Sequence, residues 1–150
     1  MNNLSTRNEI KKGFPKLKQA QSFEVTSNLD KLYNCIAWAA NDMTKWWWPA
    51  HTKYWPKDLP KVETVDNFIS AFEQLGYKQC DMDLNLESGF EKVVIYTKNS
   101  KPTHMARQLE SGKWASKLGD KWDIEHVSAK GVEGINYGQI EIVMKKIIIK

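Results

Sequence analysis

The sequence predicts an α+β domain in which helices pack on an antiparallel sheet. Helical patterns dominate the first half of the chain and strand patterns the second half, and such segregation is typical of α+β folds rather than alternating α/β folds. A length of 150 residues favours one domain, and the 41% hydrophobic and 27% charged residues are ordinary values for a globular protein.

Residues 1–21 are predicted to form a flexible basic arm, and residues 22–150 the folded domain. The arm is polar, contains Gly13 and Pro15, and carries the densest basic patch of a chain whose net charge is +4. No nucleic-acid-binding motif accompanies this patch, so we interpret it as solvated and expect no nucleic-acid partner. Its lysines are Lys11, Lys12, Lys16 and Lys18.

Two helices are expected in the first half of the chain. Apolar residues recur at helical spacing after Asn34, a good N-cap, and predict a main helix at about residues 35–42; a start near Asn28 is the alternative. The second helix, at about residues 64–75, has one apolar face and Thr64 as its cap.

Strand patterns dominate after the second helix. Residues 91–98 form an apolar run that we expect to be buried on both faces, and Pro102 is expected to end it. Residues 103–109 and 113–117 flank a turn that contains glycine, which indicates a hairpin. Two further strands are expected at residues 22–27 and 139–149.

Residues 43–61 are predicted to form a long aromatic loop. Its three prolines exclude a continuous helix or a central strand, and loops of that length are often functional. Its aromatic side chains either pack in the core, the safer interpretation for most of them, or line a groove for a glycan, an acyl chain or a peptide. The candidate substrate-binding residues of this loop are Trp47, Trp48, Tyr54 and Trp55.

Cys35 is the candidate nucleophile. A thiol in the first turn of a helix faces unpaired backbone amides and the positive end of the helix dipole, and both stabilise the thiolate. The thiolate is the form that attacks a carbonyl carbon. The competing interpretation is a small core residue, because free cysteines are often buried.

His104 is the candidate base. It follows Pro102 at the start of a predicted strand, where an imidazole can be held rigidly over a helix N-terminus. With the turn centred on Glu110–Ser111, facing residues have numbers that sum to 220, so His104 lies opposite Ser116. Ser116 would then accept the Nδ1 proton of His104 and orient its ring. Gln108 shares this face and is a candidate substrate-binding residue.

The segments YNCIAWAA and THMARQLESGKWASKLG resemble the papain-like superfamily. The resemblance is greatest to the branch of bacterial cell-wall endopeptidases, amidases and lecithin–retinol-type acyltransferases, in which a cysteine starts a helix, a histidine opens a strand and a polar residue lies on the following strand. It implies a papain-like domain and assigns those roles to Cys35, His104 and Ser116. The chain departs from the superfamily in having Ser at the third position, where His, Asn, Asp or Gln is expected.

These segments, with FEKVVIY and DIEH, are also similar to a family of uncharacterised bacterial proteins over about residues 23–145. The segment WDIEH offers Glu125 as an alternative orienting acid, although the segment also fits a capped helix start or a polar loop. Lys117 is a candidate for stabilising an oxyanion or is a plain surface lysine, and a one-residue slip of the hairpin would bring it opposite His104. Asn34 or Tyr33 can contribute to an oxyanion hole, although the role of Asn34 is already explained by its capping of the helix.

The leading functional hypothesis is a cysteine-dependent hydrolase or acyl or amide transferase, which covers peptidase, amidase and deamidase chemistry. The expected substrate is a peptide, an amide or an acyl compound, and no cofactor is expected. The alternative is a non-catalytic papain-like binding module, as in a bacterial toxin–immunity system, with the aromatic loop as its working surface.

Composition and spacing exclude several other classes. The histidines and the two cysteines lack zinc-ligand spacing, so no metal site is expected and both cysteines are expected to be free thiols. No apolar stretch approaches the roughly 18 residues of a membrane-spanning helix. The N-terminus lacks the apolar core of a signal peptide, so a cytoplasmic location is expected unless a dedicated system exports the protein.

Overall fold

The computed structural model describes residues 3–18 and 22–148. In that part of the chain the helices are α1 (Leu4–Gly13), α2 (Cys35–Ala39) and α3 (Val65–Glu73), with short 3₁₀ helices at Pro15–Leu17 and Ala129–Val132. The strands are β1 (Phe23–Val25), β2 (Lys78–Cys80), β3 (Phe90–Lys98), β4 (Lys101–Gln108), β5 (Trp114–Lys117), β6 (Asp123–His126) and β7 (Gln139–Ile147). They form one sheet in the order β1-β6-β5-β4-β3-β7-β2, and all neighbouring strands pair antiparallel.

The predicted α+β architecture is confirmed, since helices pack against both faces of this antiparallel sheet. The main helix begins at Cys35 as predicted from the Asn34 cap, and not near Asn28. The second helix is also present, with Thr64 as its N-cap. Strand β3 is buried on both faces, and the expected strands at residues 22–27, 113–117 and 139–149 are present in shorter form. Residues 149 and 150 lie outside the described residues.

The prediction of a flexible arm is wrong for residues 4–17. Asn3 caps α1 by accepting a hydrogen bond from the Thr6 amide at 2.9 Å. The side chains of Ile10, Phe14 and Leu17 are buried in a cluster that also contains residues of β1, β3 and β6. The polar composition of the segment did not indicate this packing, because only three apolar residues, spread over a helix and a turn, make these contacts. Residues 1, 2 and 19–21 of the predicted arm lie outside the described residues.

Two further strand expectations need correction. Pro102 lies inside β4 instead of breaking the chain before it, because the register with β3 shifts between Tyr96 and Thr97 and so accommodates a residue without an amide proton. The segment DIEH is strand β6, not a helix start or a polar loop. Pairing with β1 and β5 on its two sides overrides its polar composition.

Alternation along the central strands separates two hydrophobic clusters. On one face of the sheet, which we call the α1 face, Ala106 and Trp114 pack with α1. On the other, the α2 face, Met105 packs with α2 and α3. Since neighbouring residues of a strand point to opposite faces, His104 belongs to the α1 face. Cys35 belongs to the cluster on the α2 face.

The β4–β5 hairpin pairs at only two positions, Arg107 with Ala115 and Gln108 with Trp114. Facing residues therefore have numbers that sum to 222 instead of the predicted 220. The turn is displaced because the Leu109 amide donates to the Lys113 carbonyl and closes a loop centred one residue later than expected. Because side chains alternate between the two faces, this two-residue shift in register keeps every side chain of the hairpin on its predicted face.

Beyond these two pairs, the N-terminus of α2 lies against β4 and β5. The Met105 amide, two residues from the nearer pair, is close enough to the Cys35 sulfur to lower the pKa of its thiol. His104 is the neighbour of Met105 in β4. The fold therefore brings the first residue of α2 to the part of β4 that carries the candidate base.

We expect Leu17→Ala to destabilise the domain by about 2–5 kcal/mol, because the Leu17 side chain is 1% exposed and its removal leaves a cavity in the α1-face cluster. Urea unfolding of the full chain measures this change. The matched control is Leu4→Ala on the same segment: Leu4 is 72% exposed, and its removal should change the free energy of unfolding by less than about 0.5 kcal/mol. Equal, small effects would show that the segment does not contribute to the core.

Candidate functional site

Cys35 begins α2 and is buried. The Asn34 side chain caps the helix by accepting a hydrogen bond from the Ala37 amide at 3.2 Å, which places Cys35 in the first helical turn. The Cys35 side chain is 5% exposed, and burial raises the pKa of its thiol to about 11. Backbone amides around the sulfur and the Lys117 ammonium lower that pKa but do not outweigh the burial. The resting thiol is therefore protonated at neutral pH.

His104 is fully buried in β4. Its Nε2 lies 3.0 Å from Ser116 Oγ, and its ring stacks on Tyr137 with centroids 3.9 Å apart and an interplanar angle of 4°. Its Nδ1 is buried and has no hydrogen-bond partner among the residues that the structure describes. Burial, and secondarily the neighbouring His126, hold the pKa of this imidazole well below its ordinary value of 6.5. The ring is therefore neutral at neutral pH.

Ser116 joins two histidines. Its Oγ lies 2.8 Å from His126 Nε2 as well as 3.0 Å from His104 Nε2. His126 Nδ1 in turn lies 2.8 Å from the Ser128 carbonyl oxygen. The predicted contact between Ser116 and His104 thus exists, but it uses Nε2 of His104 and not the expected Nδ1, because the two residues lie diagonally across the hairpin.

His126 is a member of this cluster that was not predicted from the sequence. The signal was present, because strand alternation over DIEH places Ile124 and His126 on the same face as Ser116. The polar composition of the segment led instead to a helix start or loop. The same alternation places Glu125 on the opposite face, where it pairs with Ala115, so the structure brings Ser116 and not Glu125 to His104.

Cys35 and His104 make no hydrogen bond with each other among the described residues, and Cys35 belongs to the cluster on the α2 face whereas His104 lies on the α1 face. The amide of Met105, the residue next to His104, is close enough to the Cys35 sulfur to lower the pKa of its thiol. Burial and, more weakly, a Cys35 thiolate raise the pKa of Tyr137, whose ring stacks on His104. Met105 and Tyr137, which both adjoin His104, are therefore within electrostatic range of Cys35.

Lys117 is fully buried on the α2 face, so its interpretation as a surface lysine is wrong. Its ammonium donates to the carbonyl oxygens of Asp30 and Gly119. Burial lowers the pKa of Lys117 and raises that of Asp123, which accepts a 2.7 Å hydrogen bond from the Tyr33 hydroxyl. The Lys117 ammonium lies close enough to Cys35 to lower the pKa of its thiol, so it places a positive charge near the sulfur.

Asn34 ties α2 to the aromatic loop. Its side-chain nitrogen donates to the Trp47 carbonyl at 2.8 Å, and its oxygen accepts from the Trp47 amide at 3.1 Å. These bonds explain why Asn34 is 2% exposed. The structure thus shows Asn34 as an organiser of the backbone on both sides of Cys35.

The aromatic loop is mostly core. Trp47 and Trp55 are buried, and the half-buried Trp48 meets Phe68 of α3 edge-on with ring centroids 5.5 Å apart. Tyr54 is 41% exposed, packs against Trp47 at an interplanar angle of 54° and lies under the Lys45 ammonium. Of the four loop residues predicted to bind substrate, Tyr54 is therefore the most exposed.

Gln108 is not near the candidate base. It lies four residues along β4 from His104, about 13 Å in an extended strand. Its side-chain nitrogen donates to the carbonyl oxygens of Leu84 and Gly112, which closes the hairpin turn. The structure thus gives Gln108 a local structural role.

The described residues contain neither a metal-binding cluster nor a membrane-spanning helix. Within residues 3–18 and 22–148, no cluster of three or more His, Cys, Asp or Glu side chains could hold a metal ion. In the same ranges, no helix has the length and apolar character needed to cross a membrane.

Comparison with known proteins gives one match. A family model described as a domain of unknown function (DUF7689) matches residues 24–145, which include every residue of the Cys35 and His104 neighbourhood. No curated protein and no solved structure matches the chain.

The stability of the domain should fall in mild acid because His126 is buried in its neutral form. Burial lowers its pKa from 6.5 to about 4, so below pH 6.5 the unfolded chain takes up a proton that the folded chain refuses. The stability that depends on neutral His126 is complete above pH 6.5 and is lost by pH 4, a difference of about 3 kcal/mol. Urea unfolding at several pH values measures it.

The control for this prediction is His126→Gln, which cannot titrate. The difference in unfolding free energy between the wild-type protein and this variant should change steadily from pH 7 to pH 4. A difference that is independent of pH would contradict a buried neutral imidazole at position 126.

Proposed function

The chain belongs to the DUF7689 family, a domain of unknown function, and from its own residues we propose that it is a cysteine-dependent hydrolase or acyl or amide transferase of papain-like type. Cys35 is the nucleophile, His104 its general base and Ser116 the residue that orients the base. The substrate class is a peptide, an amide or an acyl compound.

One observation carries this proposal: Nδ1 of His104 is buried without a hydrogen-bond partner in the described chain, while Nε2 is held by Ser116. A buried polar atom without a partner costs free energy, so such an atom indicates either strain or a function. The amide of Met105, the residue after His104, is close enough to the Cys35 sulfur to lower the pKa of its thiol. An imidazole with one nitrogen oriented and the other free has the lone pair that thiol activation needs.

The chemistry begins from a neutral pair, because burial raises the pKa of Cys35 and lowers that of His104. Nδ1 of His104 takes the thiol proton as the Cys35 sulfur attacks the carbonyl carbon, which forms a tetrahedral oxyanion. The imidazolium then gives this proton to the leaving amine or alcohol, and a thioester remains. Water or an amine, deprotonated by His104, attacks the thioester and restores the thiol.

Two features of the surroundings support this sequence of steps. The Lys117 ammonium and the amides at the start of α2 favour negative charge at the sulfur. Tyr137, which stacks on His104, also lines a groove of about 410 Å³ between α1 and the β5–β6 turn. The groove reaches Tyr137 but not His104 or Cys35, so in this proposal a substrate approaches the base past the Tyr137 ring.

A non-catalytic binding module is the second candidate, and the burial of Cys35 favours it. A side chain that is 5% exposed and a thiol with a pKa of about 11 are typical of a core cysteine. In that case the exposed Tyr54 and the adjacent Lys45 mark the working surface of the aromatic loop.

The proposal is tested by treating the full chain with p-nitrophenyl acetate and locating the acetyl group by peptide mass spectrometry. We expect acetylation of Cys35, since in the proposed mechanism His104 removes its thiol proton, and much slower acetylation of the half-buried Cys80. His104→Gln should slow the reaction at Cys35 by about 100-fold, the usual contribution of a general base. Thermal unfolding of each variant shows that it is folded.

The matched control is Cys80→Ala, which should leave the reaction at Cys35 unchanged. Equal, slow acetylation of both cysteines that is insensitive to His104→Gln would refute the hydrolase and favour the binding module. Cys35→Ala distinguishes the two further: a loss of stability of several kcal/mol with no change in reactivity elsewhere indicates a core cysteine.

A further inference from the structure

We propose that His126 is a positioning residue that acts through Ser116 to hold His104 in the tautomer with its proton on Nε2, which leaves a lone pair on Nδ1. The proposal rests on the function given above, because it explains how that base is kept ready. It also gives the site a fourth member, on a strand that is not adjacent to β4.

The contact of His126 with Ser128 determines the direction of the hydrogen bonds that connect His126, Ser116 and His104. His126 Nδ1 lies 2.8 Å from the carbonyl oxygen of Ser128, and a carbonyl oxygen can only accept. Nδ1 of His126 must therefore carry a proton. In a neutral imidazole only one nitrogen is protonated, so Nε2 of His126 is an acceptor.

The Ser116 hydroxyl then determines which nitrogen of His104 is protonated. Its Oγ lies 2.8 Å from His126 Nε2, and since that nitrogen accepts, the single hydroxyl proton of Ser116 points to His126. The hydroxyl oxygen is then an acceptor toward His104, 3.0 Å away, and Nε2 of His104 must carry a proton. Neutral His104 therefore has its lone pair on Nδ1, the nitrogen without a partner in the described chain.

A serine alone could not set this tautomer. A hydroxyl both donates and accepts, so without a second partner Ser116 could donate to His104 Nε2 and leave the proton on Nδ1. His126 removes this freedom. Because the Ser116 proton is donated to His126, Ser116 can only accept a hydrogen bond from His104. Ser116 and His126 together thus do what a single Asn or Asp would do, which accounts for a serine at the third position of the papain-like pattern.

The assignment depends on neutral His126, and its surroundings favour that form. The side chain is fully buried on the α1 face and pairs across the sheet with Phe23 on one side and Trp114 on the other. Both are members of the α1-face cluster, as is Ile124 of the same strand. The 3₁₀ helix Ala129–Val132 follows Ser128, and its Gly131 lies near His126 Nδ1.

The test is nitrogen NMR of the full-length protein labelled with ¹⁵N, which distinguishes protonated from unprotonated imidazole nitrogens. The chain has three histidines, of which His51 is exposed, so His104 and His126 can be assigned. At neutral pH we expect a proton on Nε2 of His104 and on Nδ1 of His126. A wild-type protein with the proton of His104 on Nδ1 would overturn the proposal without any variant.

Two matched variants test the role of His126. His126→Leu removes the acceptor and should move His104 wholly or partly to the Nδ1-protonated form, with about a 100-fold slower acetylation of Cys35 by p-nitrophenyl acetate. His126→Gln keeps an acceptor oxygen at the same reach and should preserve both the tautomer and most of the rate. An unchanged His104 tautomer in His126→Leu would also overturn the proposal.

Ser116→Ala provides a second route if His126→Leu does not fold. It breaks the chain of contacts in the middle, so His104 should lose its single tautomer while His126 keeps its bond to Ser128. The two proposals fail separately: expected tautomers with no reaction at Cys35 would refute the hydrolase alone, whereas a reactive Cys35 with the other tautomer would refute only the role of His126.

Discussion

The early separation of β4 from β5 is the constraint on which the candidate site depends. These strands pair at only two positions, and α2 packs against both of them. Beyond the two backbone pairs of β4 and β5, side-chain contacts connect the strands. His104, Ser116 and His126 link β4, β5 and β6 on the α1 face. The site is thus built into a gap in the sheet.

Burial gives this site its electrostatic character. A solvated Cys–His pair can rest as an ion pair, but here desolvation raises the pKa of Cys35 and lowers that of His104, so both groups rest neutral. A neutral base is useful only if its lone pair is on the correct nitrogen. In the proposed mechanism, tautomer selection therefore matters more in this buried site than it would in an exposed one, and the contacts of His126 with Ser116 and Ser128 are those we propose to provide it.

Several elements follow from local sequence, and their physical reasons are local too. Asn34 and Thr64 start helices because their side chains bond to amides three residues later. The apolar run of β3 is buried because both faces of a central strand are covered. The predictions from local sequence were wrong for residues 4–17 and for DIEH, because the contacts of these segments with distant parts of the chain outweigh their polar composition.

The sequence by itself determined that a cysteine begins a helix, that a histidine lies on a strand and that a serine shares its face, because capping and alternation are properties of neighbouring residues. Only the tertiary structure decided the hairpin register, the burial of Cys35 and Lys117, and the contact of Ser116 with His126. These features depend on how far β4 and β5 stay paired and on what fills the gap between them. No local pattern encodes that outcome, since it follows from the packing of α2 against both strands.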